Sequence, residues 1–235
     1  MHFAVISLFP DMINGLAEYG VIGKAIRSGM ITCEAIDPRS FTSDVHKTVD
    51  DRPFGGGPGM VMMAKPLRLA ITKAKQEHEK AKVIYLSPQG RPLRHKKVVS
   101  LASDPALILI AGRYEGIDQR VIDHDVDEEI SIGDFVVSGG ELPAMMLIDA
   151  VSRLKPGVLG HAQSVEYESF TGDLLDHPHY TRPKHDETGS VPDVLLSGNH
   201  AAIEAWRRQQ REVCTQVKRP DLWAKYLKGH EGDFE

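Results

Sequence analysis

Three short segments rich in Gly, Pro and Ser are the parts of this chain best suited to hold a small ligand. They are Leu86-Ser87-Pro88-Gln89-Gly90, Ala111-Gly112-Arg113-Tyr114-Glu115-Gly116 and Ser138-Gly139-Gly140-Glu141-Leu142-Pro143. Glycine tolerates φ > 0 and lets a ligand approach bare backbone, so such loops bind through N–H and C=O groups more than through long side chains. The third segment belongs to a longer stretch, Ser131 to Met145, in which Phe135, Val136 and Val137 read as an apolar strand end before the Ser-Gly-Gly turn. Pro143 then opens a helix, where its missing N–H costs nothing. A turn that needs glycine only for its own geometry would look the same locally. Repetition is what points to a ligand.

Each segment follows a short apolar run: Val83 to Leu86, Leu107 to Ile110, and Glu129 to Ile132 leading into the third. Such runs alternate with helical patterns at Lys65 to Glu79, Lys96 to Ala102 and about Ile117 to His124, which predicts an α/β parallel sheet with helices on both faces. In such a sheet the carboxyl ends of the strands lie along one edge, so the three loops converge on one pocket. No G-x-G-x-x-G follows the first strand and no G-x-x-x-x-G-K-[ST] is present, which argues against a dinucleotide dehydrogenase or a P-loop NTPase. The run Ala144 to Leu147 is apolar all round, so its helix is expected to be buried on most sides, by the core or by a second subunit.

Upstream, Phe3 to Leu8 reads as a strand stopped by Pro10. Asp11 to Ser28 reads as helical, with soft spots at Asn14-Gly15 and Gly20, and Ile31 to Ile36 as a second strand. Arg39 to Pro58 is long and polar and runs into Asp51-Arg52-Pro53-Phe54-Gly55-Gly56-Gly57-Pro58-Gly59-Met60; loops of this length in compact domains are usually functional or disordered. Beyond Lys155-Pro156-Gly157 the character changes. The boundaries read as a domain over 1–159, a linker over 160–171 and a C-terminal helical domain over 172–235. In that last part Ala201 to Lys218 is helical, with Ile203, Trp206, Val213, Cys214 and Val217 on one stripe and Arg207, Arg211 and Lys218 on the next.

The composition suits a soluble globular protein: 235 residues, 41% hydrophobic, 26% charged, with no apolar run near the ~20 residues of a membrane span. The start, Met1 to Met12, lacks a basic leader and a small-residue cleavage site, so a cytoplasmic location is expected. Cys33 and Cys214 lie far apart in unlike contexts and are expected to stay reduced. A net charge of −5 excludes indiscriminate coating of nucleic acid. Between Asn199 and Lys228, however, seven basic residues face three acidic ones, a local excess of +4 that fits a restricted polyanion contact. His161, His177, His179 and His185 lack the spacing of a metal motif and are expected to have structural or solvent roles.

Taken together, Ser131 to Met145, Tyr85 to Gly90, Gly112 to Asp118, Asp50 to Met60 and His177 to Pro183 resemble the bacterial tRNA (guanine-N1)-methyltransferases of the SPOUT class. The resemblance is collinear from Val5-Ile6-Ser7-Leu8-Phe9-Pro10 to about Asp221. It implies methyl transfer from S-adenosyl-L-methionine (SAM) to N1 of the guanine just 3′ of the tRNA anticodon. It also implies a deep trefoil knot, which general topology rules would reject. A homodimer in which each pocket is completed by the partner subunit is implied too, with the tRNA anticodon stem-loop as substrate, possible magnesium dependence through Glu115, and no membrane.

Carried over residue by residue, Tyr85, Leu86, Ser87, Pro88 and Gln89 line one wall of the cofactor pocket. Gly112, Arg113, Tyr114, Glu115 and Gly116 form the second. Ser131, Ile132, Gly133, Asp134, Val136, Val137, Ser138, Gly139, Gly140 and Pro143 supply the third, with the adenine against backbone groups of Ile132, Gly133 and Val137. The reaction needs a base for the guanine N1 proton and a cation or donor at O6. The resemblance assigns O6 to Arg153. The base is Glu168, within Tyr167-Glu168-Ser169-Phe170, where the family's Asp is one methylene shorter; Asp173 and Asp176 are the fallbacks. Two other readings share these residues: a SPOUT methyltransferase with a different RNA target, and a non-catalytic RNA-binding protein on the same fold.

Overall fold

A computed structural model of the chain describes residues 1–160 and 168–229. The chain divides into two compact units, Met1–Gly160 and His161–Glu235. Of the expected linker, residues 161–167 lie outside the described residues, and with them His161 and Tyr167.

In the first unit, strands β1 (His2–Ile6), β2 (Thr32–Ile36), β5 (Lys82–Pro92), β6 (Ala106–Ala111) and β7 (Glu128–Ser131) form one parallel sheet, in the order β2-β1-β6-β5-β7. The position of β6 follows from its sequence. Ala-Leu-Ile-Leu-Ile-Ala is buried at every residue, and such a run suits a strand flanked by others and covered on both faces. Alternate residues feed two cores. Phe3, Val5, Ile84, Leu107 and Leu109 point to a face covered by α1 (Pro10–Asn14), α2 (Gly20–Arg27), α4 (His95–Ala102) and α6 (Glu141–Ser152). Ala4, Ile6, Val83, Ile108 and Ile110 point to the opposite face, against α3 (Ala64–Glu77) and α5 (Gln119–Asp125). Helices therefore cover both faces, as the alternation of strand and helix patterns requires.

The expected helix from Asp11 to Ser28 is broken at its two soft spots. Helix α1 ends at Asn14, a 3-10 turn spans Gly15–Ala17, and α2 restarts at Gly20. One expectation needs correction. Phe135, Val136 and Val137 are not a strand end: β7 stops at Ser131, and these residues lie in an exposed loop. As an edge strand β7 pairs with β5 alone, so nothing extends its ladder. Helix α6 is buried by the core along Pro143, Ala144, Leu147, Ile148 and Val151, and its Leu142 and Met146 are about half exposed, at 51% and 54%.

The polar stretch before Met60 is ordered. Two short antiparallel strands, β3 (Asp50–Asp51) and β4 (Val61–Met62), bracket it. Met62 N donates to Gly116 O at 2.9 Å and Glu115 N to Met60 O at 2.9 Å, so this stretch packs against the second glycine loop. Both cysteines are free thiols, and burial pushes Cys33 up to about 12.

The second unit holds a small hairpin of β8 (His185–Asp186) and β9 (Gly189–Ser190), followed by helices α7 (Asp193–Leu196), α8 (His200–Lys218) and α9 (Pro220–Gly229). Asn199 caps α8 by accepting from Ala202 N. Thr215, fully buried, accepts from Leu175 N at 2.8 Å and donates to Arg211 O at 2.7 Å. Among the described residues no helix is long and apolar enough to cross a membrane.

Candidate functional site

The three glycine loops meet along one edge of the sheet, the first within β5 between Leu86 and Arg91 and the other two after β6 and β7, where they enclose a cavity of about 320 Å³. The first wall arises from a break in the β5 ladder. Leu86 and Arg91 both face Ile130, so residues 87–90 leave the sheet between them. Gly90 lies so close to the Glu129–Ile130 backbone that a Cβ there would overlap it. Ser87 and Tyr85 are nearly buried, and the Ser87 hydroxyl accepts from Gln89 N at 3.1 Å. Burial, reinforced by the charge of Glu129, pushes the Tyr85 phenol above its usual range, so it stays a neutral donor.

The second wall rests on that phenol. A Cβ at Gly112 would lie 2.8 Å from the Tyr85 ring, so only glycine lets the loop descend onto it. Tyr114 sits at φ 59, and its hydroxyl is pushed up first by burial and then by the Asp50 carboxylate beside it. Glu115 packs on Gly59 from the polar stretch.

The third wall is anchored at both ends. At one, the Ser131 hydroxyl donates to Gly133 O at 2.9 Å while accepting from Gly133 N at 3.1 Å. At the other, Gly140 N donates to Gly112 O at 2.8 Å, and a Cβ on Gly140 would lie 2.6 Å from Ala111 Cα. Gly139 faces the Arg113 side chain with no room for a Cβ.

All the expected residues of the first two walls line the cavity, as do Ser131, Ile132, Val136, Val137, Ser138, Gly139, Gly140 and Pro143. Gly133 and Asp134 do not. Gly133, at φ +153, packs against the Phe135 ring, and Asp134 is exposed. Sequence reading missed Ile117, Gln119, Ile122, Glu129, Ile130 and Phe135. Register could have found Glu129, the direct partner of Tyr85 across β5 and β7. Gln119 and Ile122 belong to α5, and their place beside the cavity is a tertiary feature that local pattern does not encode.

A narrow cavity edged by backbone at Gly112, Gly139 and Gly140 fits a flat heterocycle with a flexible tail, and its volume falls at the lower end of the ~300–1,000 Å³ typical of ligand sites. The cradle that a Cβ would fill is the observation that suits SAM. Glu115 and Glu129 both line it, yet neither belongs to a group of three His, Cys, Asp or Glu close enough to share a metal among the described residues. The one such group is Asp176, His177 and His179, whose ligand atoms lie within 4.8 Å of one another. Its hydrogen bonds account for that proximity: His179 Nε2 lies 3.0 Å from Asp176 Oδ2, and His177 N donates to Asp176 Oδ1 at 2.7 Å.

Arg153 follows α6 as its C-cap in the first unit. Glu168 opens the described part of the second unit, where its carbonyl accepts from Thr171 N at 3.2 Å. Both fallback carboxylates already have partners: Asp173 pairs with Lys225, and Asp176 with His177 and His179.

Of the expected basic ridge, Arg211 is turned into its own unit, while Lys218 stays exposed. On α8 the half-buried side carries Ile203, Trp206, Arg207, Arg211 and Cys214, with Thr215 buried among them, while Val213 and Val217 face solvent. Arg211 donates to Leu175 O at 3.2 Å and Thr171 O at 2.9 Å, and Arg207 pairs with Glu204 at 2.6 Å. Arg211→Ala is therefore expected to destabilise the second unit by about 1.5–3 kcal/mol, the worth of hydrogen bonds to a charged group. Thermal melts of wild type and variant check this; an unshifted transition would return Arg211 to the pool of surface cations.

Residues 1–225 match the family model described as tRNA (Guanine-1)-methyltransferase TrmD. The chain is 60% identical over 229 residues to the tRNA (guanine-N(1)-)-methyltransferase of Stutzerimonas stutzeri, covering 97% of this chain and 92% of the relative. It is 60% identical over 223 residues to that of Aeromonas salmonicida, covering 94% and 90%. With that of Proteus mirabilis the identity is 58% over 223 residues, covering 94% and 89%.

Proposed function

The chain belongs to the tRNA (guanine-1)-methyltransferase family, and from that premise we propose that it methylates N1 of the tRNA guanine immediately 3′ of the anticodon. The observation that carries the reading is the cavity walled by the same three loops that bear the family's motifs. SAM, when bound there, supplies the methyl group. Backbone at Ile132 and Val137 orients the adenine, and the loop over Gly139 and Gly140 excludes water from the tail.

The N1 proton of guanine must leave before or as the methyl arrives, and charge then builds on O6. Glu168 removes that proton, and Arg153 stabilises the charge that spreads from N1 through C6 onto O6. A Glu has nearly the same solution pKa as the family's Asp, so the longer side chain changes reach more than basicity. Glu115, which lines the cavity, is the carboxylate at which a magnesium ion would be held together with its own waters, and no step is routed through it.

The wider assembly follows the same reading. Phe9, Met12, Leu142 and Met146 are exposed, the last two on α6, which supports a second copy of the chain covering that helix. A knotted passage is supported by the path after β7. From the sheet edge beyond β5 the chain returns past β5 to lie against Ala111 and Gly112 at the end of β6. The helical second unit engages the anticodon stem-loop.

The test is methylation of tRNA transcripts that differ only at the guanine 3′ of the anticodon and at its 5′ neighbour. Incorporation is expected only with guanine at the target position. Equal incorporation into transcripts lacking that guanine would favour a different RNA target, and no incorporation into any tRNA, a binding protein.

A further inference from the structure

Glu141 is the one acidic side chain in the first unit's interior, at 0% exposure, and nothing in the reaction just described uses it. Its Oε1 accepts from the Ser7 hydroxyl at 2.7 Å, at the end of β1. Its Oε2 lies 2.8 Å from Arg113 Nε; the N–H does not point at it, so the pair is held by charge rather than by a directed hydrogen bond. Arg113 in turn donates from Nη1 to Ser138 O at 3.1 Å, and its Cζ stacks 4.3 Å over the Phe9 ring. Its side chain fills the space that a Cβ on Gly139 would occupy.

A buried carboxylate is costly to desolvate unless its partners compensate. Here the first turn of α6 adds a favourable dipole, since Glu141 sits at the amino end of that helix. The compensated charge links three parts of the chain 134 residues apart in sequence at most: the end of β1, the second cavity loop and the third. The third loop needs such a link. From Gly133 to Ser138 it forms no strand, and Val136 is 82% exposed, so its position depends on its two anchored ends.

We propose that Glu141 is a positioning residue for the cofactor: by fixing Arg113 it holds the Ser138–Gly140 turn in the shape that receives SAM. The inference rests on the cofactor reading of the cavity. Losing the anchor leaves the third loop to be ordered by the ligand itself, and that ordering is subtracted from affinity. The effect falls on cofactor binding and not on the methyl-transfer step, because Glu141 touches neither guanine nor the reacting atoms.

Titration calorimetry with SAM, paired with steady-state methylation of tRNA, tests this on the full chain. Glu141→Gln keeps an acceptor for Ser7 but removes the charge facing Arg113. It is expected to raise the Kd and the KM for SAM by roughly tenfold while kcat at saturating SAM stays within about threefold. Combining it with Arg113→Met should add nothing beyond the larger single effect, since both act through one link. Wild-type SAM binding with Glu141→Gln within twofold of it overturns the positioning role alone; a wild type that binds no SAM overturns the cofactor reading and the proposal with it. A fall in kcat without a change in KM also overturns it. If Glu141→Gln does not melt cooperatively, Ser7→Ala decides instead, since Ser7 does not line the cavity. Roughly threefold weaker SAM binding is expected there, and unchanged binding overturns the proposal.

Discussion

Glu168→Gln is expected to slow methyl transfer to tRNA by roughly 10²–10⁴-fold, the range that a positioned general base contributes. The amide keeps the size and much of the hydrogen-bonding capacity of the side chain but cannot take the N1 proton. Affinity for SAM should stay within about twofold, because the cavity walls come from residues 85–143 and Glu168 belongs to the second unit. Single-turnover methylation with saturating SAM and tRNA reads the chemical step directly, and calorimetry reads the cofactor. Glu168→Asp restores the carboxylate at the family's usual length, and recovery of most of the rate there would identify the proton acceptor by its chemistry. Near-normal turnover in Glu168→Gln would remove Glu168 from that role. Asp173 and Asp176 would then have to give up Lys225 and the two histidines to replace it.

Gly140→Ala is expected to weaken SAM binding at least about a hundredfold, the equivalent of roughly 2.7 kcal/mol of strain relieved only by moving the third wall. The new methyl would meet Ala111 Cα at 2.6 Å and Gly112 N at 2.8 Å. These are backbone atoms of a fully buried strand and its loop, not the end of a flexible side chain, so neither can yield without shifting β6. The hydrogen bond from Gly140 N to Gly112 O would open at the same time. Gly15→Ala serves as the control: Gly15 has helical angles, φ −58 and ψ −20, and open space where a Cβ would go. That substitution should leave SAM binding unchanged and stabilise the fold slightly, by about 0.4–1 kcal/mol. Calorimetric titration of both variants checks the pair, and a Gly140→Ala protein that binds SAM normally would mean that the cradle is not the binding surface.

Much of this protein is legible in its sequence because the relevant signals are local. Apolar runs such as Ala106–Ala111 mark buried strands by their length and composition, and Gly20, at φ +67, marks the break before α2. Loops following such strands in a parallel sheet share one edge, so pattern alone brings the two glycine loops and the Ser-Gly-Gly turn together. The motifs within them were enough to indicate the family, and Arg153 and Glu168 enter through that resemblance rather than through pattern.

What the tertiary structure alone decided depends on partners far away in the chain. Phe135 to Val137 have strand-like composition, but an edge strand with one neighbour offers no second ladder to hold them, and they became cavity loop instead. Arg207 and Arg211 form a cationic stripe on paper. Thr171 and Leu175, 40 and 36 residues away, supply the carbonyls that turn Arg211 inward, so that member of the stripe is engaged inside its own unit. Glu141 looks like any solvent-facing acid at a helix start, and only Ser7 and Arg113 make its burial tolerable. Periodicity and turn chemistry thus determined which elements form and where the loops converge. Which side chains face inward was settled by charges and hydrogen-bond partners brought together from distant segments, whose pairing energy outweighs the local preference of each residue for water.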